Sequence, residues 1–349
     1  MKKNLFLSIL TLFTLISCSE SDNCYECESS ITNEVESLDI ETTKNRAVNL
    51  DQLKYNQVMY KGSHNSYERR EDITEQITNS SPAYQNNVLA LELDIWRNTP
   101  RNSYTNTSIP SNTWVVNHWP HPGRYGRTLA SYFSKLKDWH NRNRNHLPIM
   151  IKLDVKSSNG GYQNFHEQIE WYLQRFLGDS DVIFKAQRLF KDPNRSIRHN
   201  VLYENAWPSM NELRGKFIIV LTGNGSWMDQ YVRTNSRYRW AFGMKAQTIA
   251  NTDNTNSGIS QANNTIDNNP NYVFYNFSMS DINDKRNKAG SREYARQLAR
   301  RGMITRVYSA NNRDEWERCK SWKISCISTN KIKNHDWAKI DNNNMFIQR

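Results

Sequence analysis

Within the 349 residues, no apolar run reaches the roughly 20 residues that a helix needs to span a bilayer. Nothing recurs at the period of a solenoid. Cysteine is sparse, limited to Cys18, Cys24, Cys27, Cys319 and Cys326. Cys24 and Cys27 have the spacing of half a zinc site, yet no His or Cys neighbours supply the other half. Lys and Arg are missing altogether from residues 18–43, where Glu20, Asp22, Glu26 and Glu34 are among the acids. Being polar and poor in aromatics, residues 18–45 read as a flexible acidic stem. The whole chain holds 46 Lys and Arg against 35 Asp and Glu. The acidic stem therefore leaves the remainder strongly basic. A basic body suits an anionic partner, such as acidic lipid or a phosphate ester.

What is present at the start reads as a targeting segment, residues 1–17. Lys2 and Lys3 precede an apolar run from Leu5 to Ile16, of the length of a signal-peptide core. The run ends in Leu15-Ile16-Ser17-Cys18, which resembles the box at which a lipoprotein signal peptidase cuts before the cysteine. Cys18 is then expected to be lipidated, on a bacterial cell-envelope protein at the outer membrane or cell surface. Several acyl chains hold a protein far more firmly than one. The acidic Ser19-Glu20-Ser21-Asp22 resembles a surface-export signal. That location argues against nucleic acid as the partner. If Cys18 carries lipid, an even number of cysteines remains, which suggests disulfides in an oxidising compartment, with the pairing open.

Residues 46–349 read as one α/β unit, and roughly 300 residues suit a single (β/α)₈ barrel. Candidate strands are 57–62, 90–95, 114–117, 148–155, 216–222, 272–277, 305–309 and 325–328. Candidate helices are 129–141, 162–176, 210–213, 291–301 and 313–322. Strand and helix in alternation imply a parallel sheet. No element is assigned to 235–250. The polar stretch 251–271 reads as a solvated loop.

Three segments carry the chemistry, each where a barrel strand ends and faces the mouth. The first is Gly-Ser-His-Asn-Ser-Tyr, residues 62–67. The second is Leu-Glu-Leu-Asp-Ile-Trp, residues 91–96. Its period of two puts Leu91, Leu93 and Ile95 under the outer helices, with Glu92, Asp94 and Trp96 inside the barrel. The third is Pro-Ile-Met-Ile-Lys-Leu-Asp-Val-Lys, residues 148–156, with Lys152, Asp154 and Lys156 on one face. Between the second and third, Trp-Val-Val-Asn-His ends a further strand at His118. Carboxylates inside a barrel are costly unless paired or bound to a cation. Asn65, Glu92, Asp94 and Asp154 are hard oxygen donors, suited to Ca²⁺ or Mg²⁺ rather than zinc. His64 and His118 supply imidazoles for acid–base work near neutral pH. Lys156 can balance a phosphate. On a late strand, Arg306 and Tyr308 offer a cation and an aromatic face to a polyol phosphate.

Taken in order, His-Asn-Ser-Tyr, Glu-Leu-Asp, a strand ending in His, and Pro-Ile-x-Ile-x-Leu-acid-x-Lys resemble the catalytic domain of the calcium-dependent phosphatidylinositol-specific phospholipase C family. The closest likeness is to its single-domain bacterial form, and the resemblance also covers Trp207–Leu221. The resemblance implies a distorted TIM barrel of the PLC-like phosphodiesterase type and a phospholipid substrate at a membrane surface. It also implies Ca²⁺ held by Asn65, Glu92, Asp94 and Asp154. His64 would serve the phosphate, and His118 would protonate the leaving diacylglycerol oxygen. A carboxylate such as Glu92 would help to deprotonate the attacking inositol 2-hydroxyl, giving a cyclic inositol phosphate. The chain is expected to be a monomer.

Two features depart from the family pattern. Asp154 stands where the family usually has Glu, and His121, between two prolines, lies close behind His118. Metal-independent relatives place an Arg where calcium sits, and here Arg97 and Lys152 are the nearby cations. Two other readings compete. Glycerophosphodiester phosphodiesterases share the barrel but begin with His-Arg-Gly, where this chain has His64-Asn65-Ser66. A non-catalytic lipid- or glycan-binding lipoprotein would be supported by loss of either histidine, and both are present. For the anchor, fatty-acid labelling should mark the wild type. Cys18→Ala should lose both label and membrane retention, and unchanged labelling of that variant refutes the anchor.

Overall fold

A computed structural model describes residues 49–78, 88–97, 113–119, 127–156, 165–234 and 236–340. The signal segment, the stem, Cys18, Cys24, Cys27 and His121 lie outside the described residues. Ten strands form one sheet: β1 Tyr60–Ser63, β2 Val88–Arg97, β3 Trp114–Val116, β4 Arg127–Thr128, β5 Ile149–Val155, β6 Phe217–Gly223, β7 Phe242–Ala246, β8 Phe274–Ser278, β9 Ile304–Tyr308 and β10 Cys326–Thr329. The order β1-β10-β9-β8-β7-β6-β5-β2, with β1 also pairing β2, closes a parallel barrel of eight strands.

The seam between β1 and β2 is the irregular part. It pairs only Lys61 with Val88 and Gly62 with Ala90, with a register shift between. Gly62 is required there, because a Cβ would lie 2.2 Å from Ser328 Oγ on β10.

Several assignments change. Residues 114–117 were expected to supply a barrel strand, but β3 runs antiparallel along the outer end of β2, with Ile95 opposite Val116. The eighth barrel strand is β7, in the stretch left unassigned. Its Gly243 packs so closely that a Cβ would lie 2.4 Å from Val232 Cγ1. Residues 210–213 form a single turn, Leu213 N to Ser209 O at 3.2 Å, rather than a helix.

The faces of β2 fall as the period of two requires. Leu91, Leu93 and Ile95 are buried in one cluster with Leu129, Phe133 and Leu136 of the Leu129–Arg142 helix. Each such side chain contributes roughly 1.5–3 kcal/mol of burial. Inside the barrel, Tyr60, Met150, Ile218 and Phe274 fill the base. Among the described residues no helix is long and apolar enough to cross a membrane.

Cys319 and Cys326 are free and buried, so no disulfide joins them. Cys319 lies on the Arg313–Ser321 helix beside Met279, and Cys326 lies on β10 beside Ser328. The expected disulfide framework does not extend to this pair.

The expected loop at 251–271 is instead built around a helix, Thr255–Asp267, capped by Asn254 Oδ1 on Ser257 N at 2.9 Å. Gly258, Ala262 and Ile266, four apart, are buried. That narrow stripe lets the helix lie on Ala289–Arg300, where a Cβ on Gly258 would come 2.0 Å from Gly290 O. Gly258→Ala should therefore destabilise the fold by about 1–3 kcal/mol, the usual range for overpacking. Urea unfolding measures this, and an unchanged midpoint would show that the two helices are free to separate.

Candidate active site

The register of the parallel strands builds the mouth in layers. Glu92 on β2 faces Lys152 on β5, and one pleat higher Asp94 faces Asp154. Like charges directly opposite are destabilising. The two acidic partners are tolerable only with cations close by.

The floor is a buried charge cluster. Lys152 Nζ donates to Glu92 Oε1 at 2.6 Å and to Asp154 Oδ2 at 3.1 Å. Arg306, on β9, donates from Nη2 to Glu92 Oε2 at 2.6 Å, from Nη1 to Asn276 at 2.8 Å and from Nε to Ser328 at 3.1 Å. Lys152 is 2% exposed and Arg306 1%. Burial alone would raise the Glu92 carboxyl, but Arg306 and Lys152 outweigh it and hold Glu92 well below the ordinary range.

One layer up, the charges are less well matched. Burial lifts the Asp94 carboxyl to about 6, aided by repulsion from Asp154 and Glu92. Its Oδ2 lies 3.3 Å from His118 Nδ1 and 3.5 Å from Lys156 Nζ. Its Oδ1 is buried with no hydrogen-bond partner among the described residues, as is the Tyr67 hydroxyl. Burial raises that hydroxyl far above its ordinary value, and so does the Asp94 charge. Burial also acts to raise Asp154, but Lys152 and Lys156 prevail and lower it. Lys156 donates to Asp154 Oδ2 at 2.9 Å.

The rim carries the imidazoles. Asn65 follows β1 in the left-handed region, φ 46°, which Asn tolerates better than most residues. This turn points its N–H at Glu92 Oε2, 3.3 Å away, and puts its Nδ2 3.4 Å from His118 Nδ1. His64 is on the other side, with Nδ1 3.0 Å from Asn330 Oδ1 and 3.4 Å from Ser309 Oγ. Its ring stacks on Tyr308 at 5.5 Å. Burial lowers the His64 pKa, partly opposed by the Glu92 charge.

The structure thus brings His64, Asn65, Glu92, Asp94, His118, Asp154, Lys156, Arg306 and Tyr308 to one mouth. Arg306 is beneath it, with every guanidinium nitrogen committed to protein, while Tyr308 faces it. Arg97 falls on the face of β2 opposite Glu92 and Asp94, so of the two nearby cations only Lys152 reaches the carboxylates. Sequence reasoning missed Asn330, Asn276 and Ser328, which are in no motif and act through hydrogen bonds that only barrel closure creates.

Does a calcium ion fit these residues? Glu92, Asp94 and Asp154 offer carboxylate oxygens within 4.8 Å of one another. With Asn65 they make an all-oxygen donor set, in which Asp94 keeps one oxygen that no cation bonds. That chemistry suits a hard divalent cation.

The sign of the Asp94 shift makes a prediction. Its folded pKa of about 6 lies above the ordinary 3.8. Stability from this group is therefore present at low pH and is lost as pH rises through that window. In chelator near pH ~7, Asp94→Asn should stabilise the protein by roughly 1–3 kcal/mol, with the gain gone near pH ~4. Chemical denaturation at the two pH values measures it. Destabilisation at neutral pH would show that Asp94 is fully satisfied without metal.

No curated protein matches the chain significantly in sequence. Among solved structures, the apo calcium-dependent phosphoinositol-specific phospholipase C of a Gram-negative Pseudomonas species superimposes with a TM-score of 0.59 at 18% identity, covering 82% of this chain and 94% of that one. The calcium-dependent phosphatidylinositol-specific phospholipase C of Streptomyces antibioticus gives 0.56 at 16% identity, covering 79% and 94%. These likenesses show the fold, a PLC-type TIM barrel. A family model described as phosphoinositide phospholipase C, Ca²⁺-dependent, matches residues 124–299, a stretch that contains Lys152, Asp154 and Lys156. Since that match spans half of the chain, the protein belongs to the Ca²⁺-dependent phosphoinositide phospholipase C family and is a phosphodiesterase.

Proposed function

We propose that the chain cleaves phosphatidylinositol-type lipids at a membrane surface, releasing diacylglycerol and a cyclic inositol phosphate. The observation that carries this is the placing of two imidazoles at one carboxylate-lined mouth. His64 is held from the β9–β10 side and His118 from the β2–β3 side. Each has its Nδ1 engaged by a protein group, and among the described residues nothing engages either Nε2.

His118 has the Asp94 carboxylate at Nδ1, which orients the ring. It is the general acid that hands a proton to the diacylglycerol oxygen. His64 is backed by Asn330, an acceptor for Nδ1–H. Once an anionic phosphodiester offsets the burial that lowers its pKa, His64 donates from Nε2 to the phosphoryl oxygen. Glu92 is a poor base, because both its oxygens are bonded to cations. Asp94, with a free buried oxygen, suits the proton of the 2-hydroxyl better. Arg306 positions Glu92 rather than meeting the headgroup, and Tyr308 keeps the ring-facing role.

Calcium, held by Asn65, Asp94, Asp154 and Glu92, would lower the pKa of the 2-hydroxyl and offset charge on the phosphoryl group. Lys156, half-buried and on the same carboxylates, is placed to meet a phosphate. Attack within one substrate brings nucleophile and phosphorus together without a second reactant. Trp119, 68% exposed and edge-on to the His118 ring at 4.9 Å, supports a lipid surface as the place of reaction. The Cys18 anchor at the cell envelope is part of the same proposal.

A headgroup screen with product identification tests the substrate. Phosphatidylinositol should be cleaved and glycerophosphocholine should not, and the reverse pattern overturns the reading. The histidine roles are tested by leaving group. His118→Ala and His64→Ala should each slow lipid cleavage by about 10²–10⁴. An aryl ester of inositol phosphate, whose leaving group needs no proton, should rescue the first variant and not the second. If that ester leaves His118→Ala as slow as before, the acid is another group, and His121→Ala becomes the variant to rescue.

A further inference from the structure

We propose that Lys152 is a resident cation of the carboxylate cage, which keeps the cage assembled without metal and lowers its affinity for calcium. This rests on the reading of Glu92, Asp94 and Asp154 as the calcium site.

The argument begins with position. The Lys152 ammonium bridges Glu92 and Asp154, two of the three carboxylates that would hold the ion. It is bonded to oxygens that a divalent cation would otherwise attract. Charge is the second consideration. Three carboxylates face three cations, Lys152, Lys156 and Arg306, all within 3.5 Å of a carboxylate oxygen. The cage is therefore already neutral, and an added divalent ion gains little net attraction unless one of the cations yields.

The three cations differ in their freedom to yield. The Lys156 side chain is 31% exposed and can swing into water. Those of Lys152 and Arg306 are 2% and 1% exposed, and an ammonium or guanidinium moved into the apolar interior below would lose its solvation without a partner. Arg306 bonds one carboxylate of the cage, Glu92, whereas Lys152 bonds both Glu92 and Asp154. Lys152 is thus the fixed positive charge closest to the site. Calcium affinity in proteins is tuned largely by ligand charge and site rigidity. A built-in ammonium sets this site towards the weak range, about 10⁻⁴–10⁻³ M, used by extracellular calcium modules.

The test is calcium binding by calorimetry on the full chain, paired with thermal unfolding in chelator and in excess calcium. Wild type should bind weakly, and its unfolding temperature should move little with calcium. Lys152→Met, close in volume and uncharged, should bind calcium at least about tenfold more tightly. It should unfold earlier than wild type in chelator and recover in calcium. Lys152→Gln should behave the same way, and Lys156→Met should tighten binding less. If wild type binds calcium and the folded Lys152 variants bind no more tightly, Lys152 is only a structural counter-ion and the inference fails while the calcium site stands. If neither Lys152 variant folds even in excess calcium, the inference fails too, since the ion does not replace the ammonium. If wild type and every variant bind no calcium, the site reading and the inference fall together.

Discussion

Glu92 is an ionised carboxylate closed inside a barrel, and its two oxygens are bonded at 2.6 Å to a lysine and an arginine that are themselves buried. Removing one partner from such a group typically costs about 3–5 kcal/mol, because the remaining charge is left without compensation. The partners come from opposite parts of the chain. Lys152 is on the neighbouring strand, while Arg306 is 214 residues further along, on the strand beside β10. Glu92 is therefore satisfied only when the barrel has closed from β2 around to β9. In this protein the site is not grafted on a finished scaffold, since the charge at its floor is one of the reasons for the scaffold to close.

That dependence explains what could be read from the amino-acid order and what could not. Period-two alternation at 91–96 and 148–156 was enough to send Leu91, Leu93 and Ile95 outward and Glu92, Asp94, Lys152 and Asp154 inward, because side-chain direction along a strand is a local property. Which inward residues face each other is set by register between strands, and no local pattern encodes it. Hence Asp94 opposite Asp154 became visible only in the structure, as did Arg306 beneath the mouth rather than at it. Asn330, just past β10, and Asn276, within β8, are in the same position: neither carries a signal until a distant partner meets it.

The elements that were misassigned share a cause of a different kind. β7 was missed because Gly243 and Lys245 break its apolar run, and Gly243 is there to admit Val232 and Tyr272. The Thr255–Asp267 helix looked like a loop because its buried stripe is Gly258, Ala262 and Ile266, the first two small enough to let two helices approach. Where packing is by backbone contact, the side chains that hydropathy reads are absent. β3 had the right composition for a barrel strand, yet at three residues it only extends the outer end of β2. Composition identifies a strand without saying which edge it joins.

From floor to rim the basic side chains become more exposed. Arg306 and Lys152 have side-chain exposures of 1% and 2%, Lys156 31% and His118 39%. The buried charges have fixed partners, and reorganising them is costly, so they stay in place during turnover and supply a preorganised field. Charges at the rim are screened and cheap to move, which is what groups that must exchange a protein carboxylate for a phosphate require. The residues proposed to transfer protons belong between these limits. His64 and His118 are open enough to meet a substrate, yet each is fixed at Nδ1 by a group from the structured part of the mouth. A fully buried imidazole would not reach the lipid, and a fully exposed one would not be oriented. The layering of the barrel, more than any single residue, is what lets one mouth hold a rigid charge floor and a responsive catalytic rim a few ångströms apart.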